Sequence, residues 1–212
     1  MLAVFLVGAT SSAQAPPLLV NGSFEDGPNP GRWMQVAGGS TAIKGWVVTG
    51  EAIDYVGTLW RNSEGARSVD LDGSLRSTLT PPYAQGGIAQ TFATKPGTIY
   101  LVTFDLAGNP YGPPAVKPLR ISATGQEAEF TFDVTGKRVA NMGWVNKTWT
   151  LTAKETSTTL EFRSLTVSPA TGYGAVIDNV SVVVATKEQI KSRGAQLHGA
   201  PLSWPVSYPF PP

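Results

Sequence analysis

Apolar and polar residues alternate along much of this chain, the pattern of strands that bury one face. Tyr100, Val102, Phe104 and Leu106 share one side of the segment 98–107, and Ile88, Gln90 and Phe92 share one side of the segment before it. Phe130 and Phe132 alternate with Glu129, Thr131 and Asp133, while Trp149 and Leu151 alternate with Thr148, Thr150 and Thr152. Further strands are predicted at 18–25, 43–48, 52–56, 68–71, 119–123, 127–134, 145–152, 158–165 and 175–182, with 43–48 and 52–56 joined around Thr49-Gly50-Glu51. Gly and Pro clusters mark 75–87 and 109–118 as loops, the latter with Tyr111 at its tip, and 31–39 as a loop or irregular strand carrying Trp33. Helical periodicity, internal repeats and a second core are all lacking between 16 and 186. One all-β domain is expected there: a two-sheet antiparallel β-sandwich with almost no helix.

The two ends read differently. Residues 1–15 carry a short apolar run, Leu2-Ala3-Val4-Phe5-Leu6-Val7, then small residues ending in Ala13-Gln14-Ala15. This is the pattern of a signal peptide, too short to span a bilayer, and it predicts a secreted or cell-surface product with no integral membrane segment. At the other end, 187–193 is polar and predicts one or two helical turns. Residues 201–212 place Trp204, Tyr208 and Phe210 among prolines, a composition suited to an extended strip. Together 187–212 form a Pro/aromatic tail expected to dock on its own domain or, preferentially, on a second copy of the chain, giving a homo-oligomer.

Composition narrows the function classes. Sixteen basic and fifteen acidic residues balance to +1, so no charge excess points to nucleic acid or an anionic bilayer surface. With no Cys there is neither a disulfide framework nor a thiolate metal site, and a secreted chain without disulfides fits a bacterial source. The only His, His198, lies in the tail, which argues against a Ser-His-Asp arrangement or a histidine-built metal centre. Asp54, Asp70, Asp72 and Asp105 are expected to be solvated acids on strand faces or turns. The chain is therefore read as a non-enzyme.

Two short motifs frame the domain. Asn21-Gly22-Ser23-Phe24-Glu25 stands near the start, and Ile177-Asp178-Asn179-Val180-Ser181-Val182 near the end. An acid inside an apolar strand needs a partner, because an unpaired buried carboxylate is costly. With no His or Cys nearby, a hard cation with oxygen ligands is one partner, so Glu25 and Asp178 are expected to meet across the fold around Ca2+. The same carboxylates can instead accept hydrogen bonds from loop amides or pair with Arg67.

These framing motifs resemble those of secreted carbohydrate-binding jelly rolls of the galactose-binding-like type. Ser68-Val69-Asp70-Leu71-Asp72-Gly73, Ile88-Ala89-Gln90-Thr91-Phe92, Phe104-Asp105-Leu106-Ala107-Gly108-Asn109-Pro110 and Asn141-Met142-Gly143-Trp144 resemble the bacterial choice-of-anchor C proteins. Those are related to the plant cell-wall domain of unknown function 642. The resemblance spans roughly 20–184 and implies a jelly roll. It also implies a structural calcium held by the Glu25, Glu64 and Asp178 side chains and the Ser23 and Arg67 carbonyls.

A sugar presents an apolar face to an aromatic ring and needs amides or charged groups to orient its hydroxyls. Tyr55, Trp60, Tyr111 and Trp144 sit in or beside predicted loops, with Asn109 close by, and form the expected carbohydrate-binding set. Trp46 and Trp149 fall within strand patterns and are assigned to the core. The expected function is that of a secreted carbohydrate-binding, lectin-like domain for a cell-surface or matrix polysaccharide. The rival is a structural or adhesive matrix or filament subunit that assembles through its tail.

Overall fold

The computed structural model describes residues 18–73, 85–166 and 172–190. Within them the strands are β1 (Trp33–Ala37), β2 (Val47–Gly50), β3 (Ala52–Val56), β4 (Ser68–Asp70), β5 (Gly86–Ala93) and β6 (Ile99–Gly108). The second half of the chain adds β7 (Val116–Ala123), β8 (Gln126–Asp133), β9 (Val145–Thr152), β10 (Ser157–Ser164) and β11 (Ala175–Val184). All pairings are antiparallel. A six-stranded sheet runs β1-β3-β4-β11-β6-β9 and a five-stranded sheet runs β2-β5-β10-β7-β8, giving the two-sheet jelly roll that the alternation predicts. Residues 1–15 and the Pro/aromatic strip 201–212 lie outside the described residues. At 187–190 one helical turn forms, capped by Thr186 Oγ1, which accepts from Gln189 N at 3.3 Å, while Gln189 Oε1 accepts from Thr186 N at 2.8 Å.

The inward rows of the two sheets meet at Phe104 of β6. Its ring makes edge contacts with Phe162 of β10 at 5.0 Å and Phe130 of β8 at 5.3 Å. Trp46 and Trp149 are buried, as their strand context predicts. The turn between β7 and β8 is set locally. Ala123 pairs with Gln126, leaving only Thr124 (φ 53°) and Gly125 (φ 74°) to turn, the two positive φ angles of a tight hairpin.

Three local expectations are corrected. The opening segment is not a strand but a run of bends, with Asn21 at φ 56° and Phe24 at φ 62°. A side chain replaces the missing strand partner: the Gln90 amide accepts from Val20 N (2.7 Å) and donates to Val20 O (2.8 Å). Trp33 lies in a true strand, β1, whereas 43–46 precedes β2. Finally, β2 and β3 do not pair with each other: the chain crosses from one sheet to the other at Gly50 (φ 70°). Nothing in the local alternation distinguishes that crossover from a hairpin.

Candidate functional site

The outer face of the six-stranded sheet holds the chemistry. Its register places Gln35 of β1 opposite Asp54 of β3, Asp54 opposite Asp70 of β4, and Asp70 opposite Val176 of β11. This row points away from Val36, Ile53, Val69 and Ile177, which belong to the core. Such a face ordinarily meets solvent. Here Leu59 of the β3–β4 connection, Asn109 and Tyr111 of the β6–β7 connection, and Gly172 and Tyr173 before β11 close round it. They leave a groove of about 530 Å3, completed by Arg32, Trp33, Gln35 and Asp54.

The acids beneath this groove correct the expectation of solvated carboxylates. Asp70 is fully buried, and Asp54 and Asp72 are only 8% and 7% exposed. Burial, reinforced by Asp72, pushes Asp54 up to about 7; burial likewise raises Asp72 to about 6. Burial and then Asp54 hold Asp70 well above the ordinary carboxylate range. Three N–H groups nevertheless point at Asp70: its Oδ1 accepts from Asp72 N and Gly174 N (3.1 Å each), and its Oδ2 accepts from Asn109 Nδ2 (2.8 Å). Asp54 Oδ1 and Gln35 Nε2, by contrast, are buried without a hydrogen-bond partner. Below the cluster lies the buried Lys117, whose Nζ donates to Gly112 O (2.7 Å) and Tyr173 O (2.6 Å) and so ties together two of the segments that border the groove. Burial lowers its pKa, and Asp70 and Asp72 oppose that shift.

The expected sugar-binding set divides. Asn109 and Tyr111 line the groove, with Tyr111 50% exposed and its hydroxyl accepting from Arg32 Nη2 at 3.4 Å. Asn109 is buried, and its Oδ1 accepts from Tyr111 N at 3.0 Å, so it positions the aromatic. Trp144 is half-buried in a separate depression with Arg61 and Asn62, its Nε1 donating to Arg61 O at 2.9 Å. Tyr55 and Trp60 are not exposed aromatics and are corrected to the core. Tyr55 lies on the inner row of β3, its hydroxyl donating to Phe24 O and accepting from Arg67 Nη1 at 2.8 Å. Trp60 folds back under its loop, its Nε1 donating to Ser68 Oγ at 3.0 Å. Arg32, Trp33, Gln35, Asp54 and Tyr173 were not among the residues expected at a sugar site. Only the exposed Arg32-Trp33 pair beside Gly31 offered a local hint.

The expected metal ligands gather round one loop. Glu25 Oε1 accepts from Ala66 N and Arg67 N, both at 2.8 Å. Asp178 Oδ2 accepts from Ser63 N and Glu64 N at 2.9 Å, and its Oδ1 from Asn179 N at 2.7 Å. A bulge between Asp178 and Ser181, with Asn179 at φ 50°, turns β11 at this point. Burial raises Asp178 to about 7, although the three amides favour its ionised form. Ser23 and Glu64 border a neighbouring depression of about 410 Å3. Among the described residues, no group of three or more His, Cys, Asp or Glu side chains is arranged to hold a metal ion. The geometry fits an amide clamp, in which two carboxylates satisfy the backbone of 63–67. Asp105 is likewise engaged, by Ser63 Oγ, Asn146 Nδ2 and Asn179 Nδ2.

Fold and face together define a jelly-roll β-sandwich with a loop-bordered groove on its larger sheet. The chain belongs to the family described as protein of unknown function DUF642, which matches residues 17–183. Halomucin of Haloquadratum walsbyi is 32% identical over 187 residues, a match covering 85% of this chain and 2% of that much longer protein. Among solved structures, the chain is similar to TmCBM61 in complex with β-1,4-galactotriose at 17% identity and TM-score 0.47, covering 81% of this chain and all of that one. It is similar also to the arabinose-bound MgGH51 α-L-arabinofuranosidase at 11% identity and TM-score 0.50, covering 82% of this chain and 27% of that one. These are likenesses of fold.

Proposed function

We propose that the groove binds carbohydrate. The observation that carries this reading is the pair of orphaned buried atoms, Gln35 Nε2 and Asp54 Oδ1, on facing residues of β1 and β3. One is an amide N–H donor and the other a carboxyl oxygen, which keeps acceptor capacity in either protonation state, and a sugar hydroxyl satisfies both because it accepts and donates at once. Trp33 (45% exposed) and Tyr111 (50% exposed) border the same groove and offer the flat apolar surfaces on which a pyranose ring stacks. Titration calorimetry with hits from a glycan array tests the assignment. Trp33→Ala and Tyr111→Ala, both on exposed side chains, are expected to lower affinity by about five- to tenfold each. Unchanged affinity in both variants removes the groove from the function.

The ordered motifs at 68–73, 88–92, 104–110 and 141–144 support a finer placement beside the choice-of-anchor C proteins, with an extracellular polysaccharide as target. No helix among the described residues is long and apolar enough to cross a membrane. Calcium at the 63–67 loop is a separate proposal, supported by the convergence of Glu25 and Asp178 there, and no step of sugar binding depends on it. Comparing melting temperatures with calcium and with chelator tests it.

A further inference from the structure

The groove has a polarity that the carbohydrate reading leaves open, and the next inference rests on that reading. Among the described residues, the only full positive charge on its lining is the exposed Arg32 guanidinium. The same lining holds Gln35 Nε2, a donor with no partner, and the buried carboxyl of Asp54. Asp54 faces Asp70 directly across β3 and β4, so two carboxyls compete for one desolvated position. Asp70, fully buried, is held well above the ordinary carboxylate range despite its three N–H donors, so Asp54, on the groove side, is the carboxyl of the pair that loses its proton first as pH rises.

We propose that this groove selects acidic sugars of the uronate class, with the sugar carboxylate set between Arg32 and the protonated Asp54, and releases them when Asp54 loses its proton. In the protonated state every polar group named at the centre is a donor: guanidinium, amide N–H and carboxyl O–H. A carboxylate is the sugar substituent that only accepts. A guanidinium also matches its two oxygens with two parallel hydrogen bonds. Once ionised, Asp54 becomes an acceptor and a like charge, and the uronate is repelled. The titratable groups facing Asp54 are Asp70 and Asp72 at the end of β4, Arg32 at the head of β1, Tyr111 and Tyr173 on the bordering loops, and Lys117 of β7 beneath the acids. Glu51, which precedes β3, acts on the cluster through Asp72. Burial places the transition of Asp54 at about 7, between mildly acidic and mildly alkaline conditions, across which a uronate stays ionised.

The test measures binding of tri-galacturonate, of trimannuronate and of their carboxyl-reduced neutral counterparts at pH 5.5 and pH 8.0. At least one uronate is expected to bind about tenfold tighter at pH 5.5, and its neutral counterpart to bind more weakly with a flat pH profile. Asp54→Asn flattens the uronate profile. Arg32→Gln, at an exposed position that leaves folding untouched, abolishes the preference for uronate over the neutral sugar. Carbon-13 NMR of the Asp54 carboxyl supplies a readout independent of ligand, with a transition near neutrality expected. Neutral sugars binding as tightly as uronates, or an Asp54→Asn profile matching the wild type, overturns this inference and leaves carbohydrate binding standing. No binding of any glycan at either pH overturns both.

Discussion

Asp178 offers the sharpest test of how the 57–67 connection is held over the sheet. Its side chain is fully buried and takes two loop amides, Ser63 N and Glu64 N, on one oxygen. Asp178→Ala strands both N–H groups, which belong to exposed loop residues but point at the buried carboxylate, and a donor left without a partner costs up to about 1–3 kcal/mol. Allowing the loop to relax partly toward water, the loss should be about 3–4 kcal/mol, a large part of the about 5–15 kcal/mol typical of a domain. For a chain of this size that corresponds to a fall in melting temperature of about 6–16 °C. Asp178→Asn retains one oxygen for Ser63 and Glu64 but turns its NH2 toward Asn179 N–H, and should cost only about 1–2 kcal/mol. Urea unfolding followed by tryptophan fluorescence reads both, and Trp60 on the same loop reports directly. The order wild type, Asn, Ala should hold in calcium and in chelator alike. A loss below about 1 kcal/mol for the Ala variant would refute the clamp. So would a chelated wild type that melts with the Ala variant, because a cation would then be holding the loop.

Three further substitutions probe the frame of the fold and the groove. A Cβ at Gly22 would lie 1.8 Å from Val180 O, so Gly22→Ala should prevent native folding or cost more than about 3 kcal/mol by urea unfolding, whereas Gly31→Ala, at φ 59° with open space around it, should cost only about 1 kcal/mol. Lys117→Met removes the ammonium that joins Gly112 O to Tyr173 O. It should cost about 2–3 kcal/mol and speed amide hydrogen exchange in 109–116 and 172–174, with 145–152 unaffected.

Alternation alone located most of the sandwich, because burial of one strand face is a local pattern. Phe104, Phe130, Phe132, Phe162 and Trp149 announce their strands without reference to any other part of the chain. Asp178 and Glu25 were also legible as acids in need of partners, and the resemblance carried by 68–73 and 104–110 led, through its relation to domain 642, to the family the chain belongs to. What resisted reading was long-range. Gln90 stands in for a strand beside Val20, 70 residues away, and no local pattern shows an amide replacing a backbone. Asp54 and Asp70 were correctly placeable on the outer face of their strands. Whether that face meets water depends on three connections returning over it, and only their tertiary paths decide this. The same covering buries Trp60 under its own loop, while the register of β1 brings Trp33 and Gln35 to the groove. A side chain's direction is a property of its strand, but its dielectric surroundings belong to whatever else folds against it. That is why the strands were legible in the sequence and the groove was not.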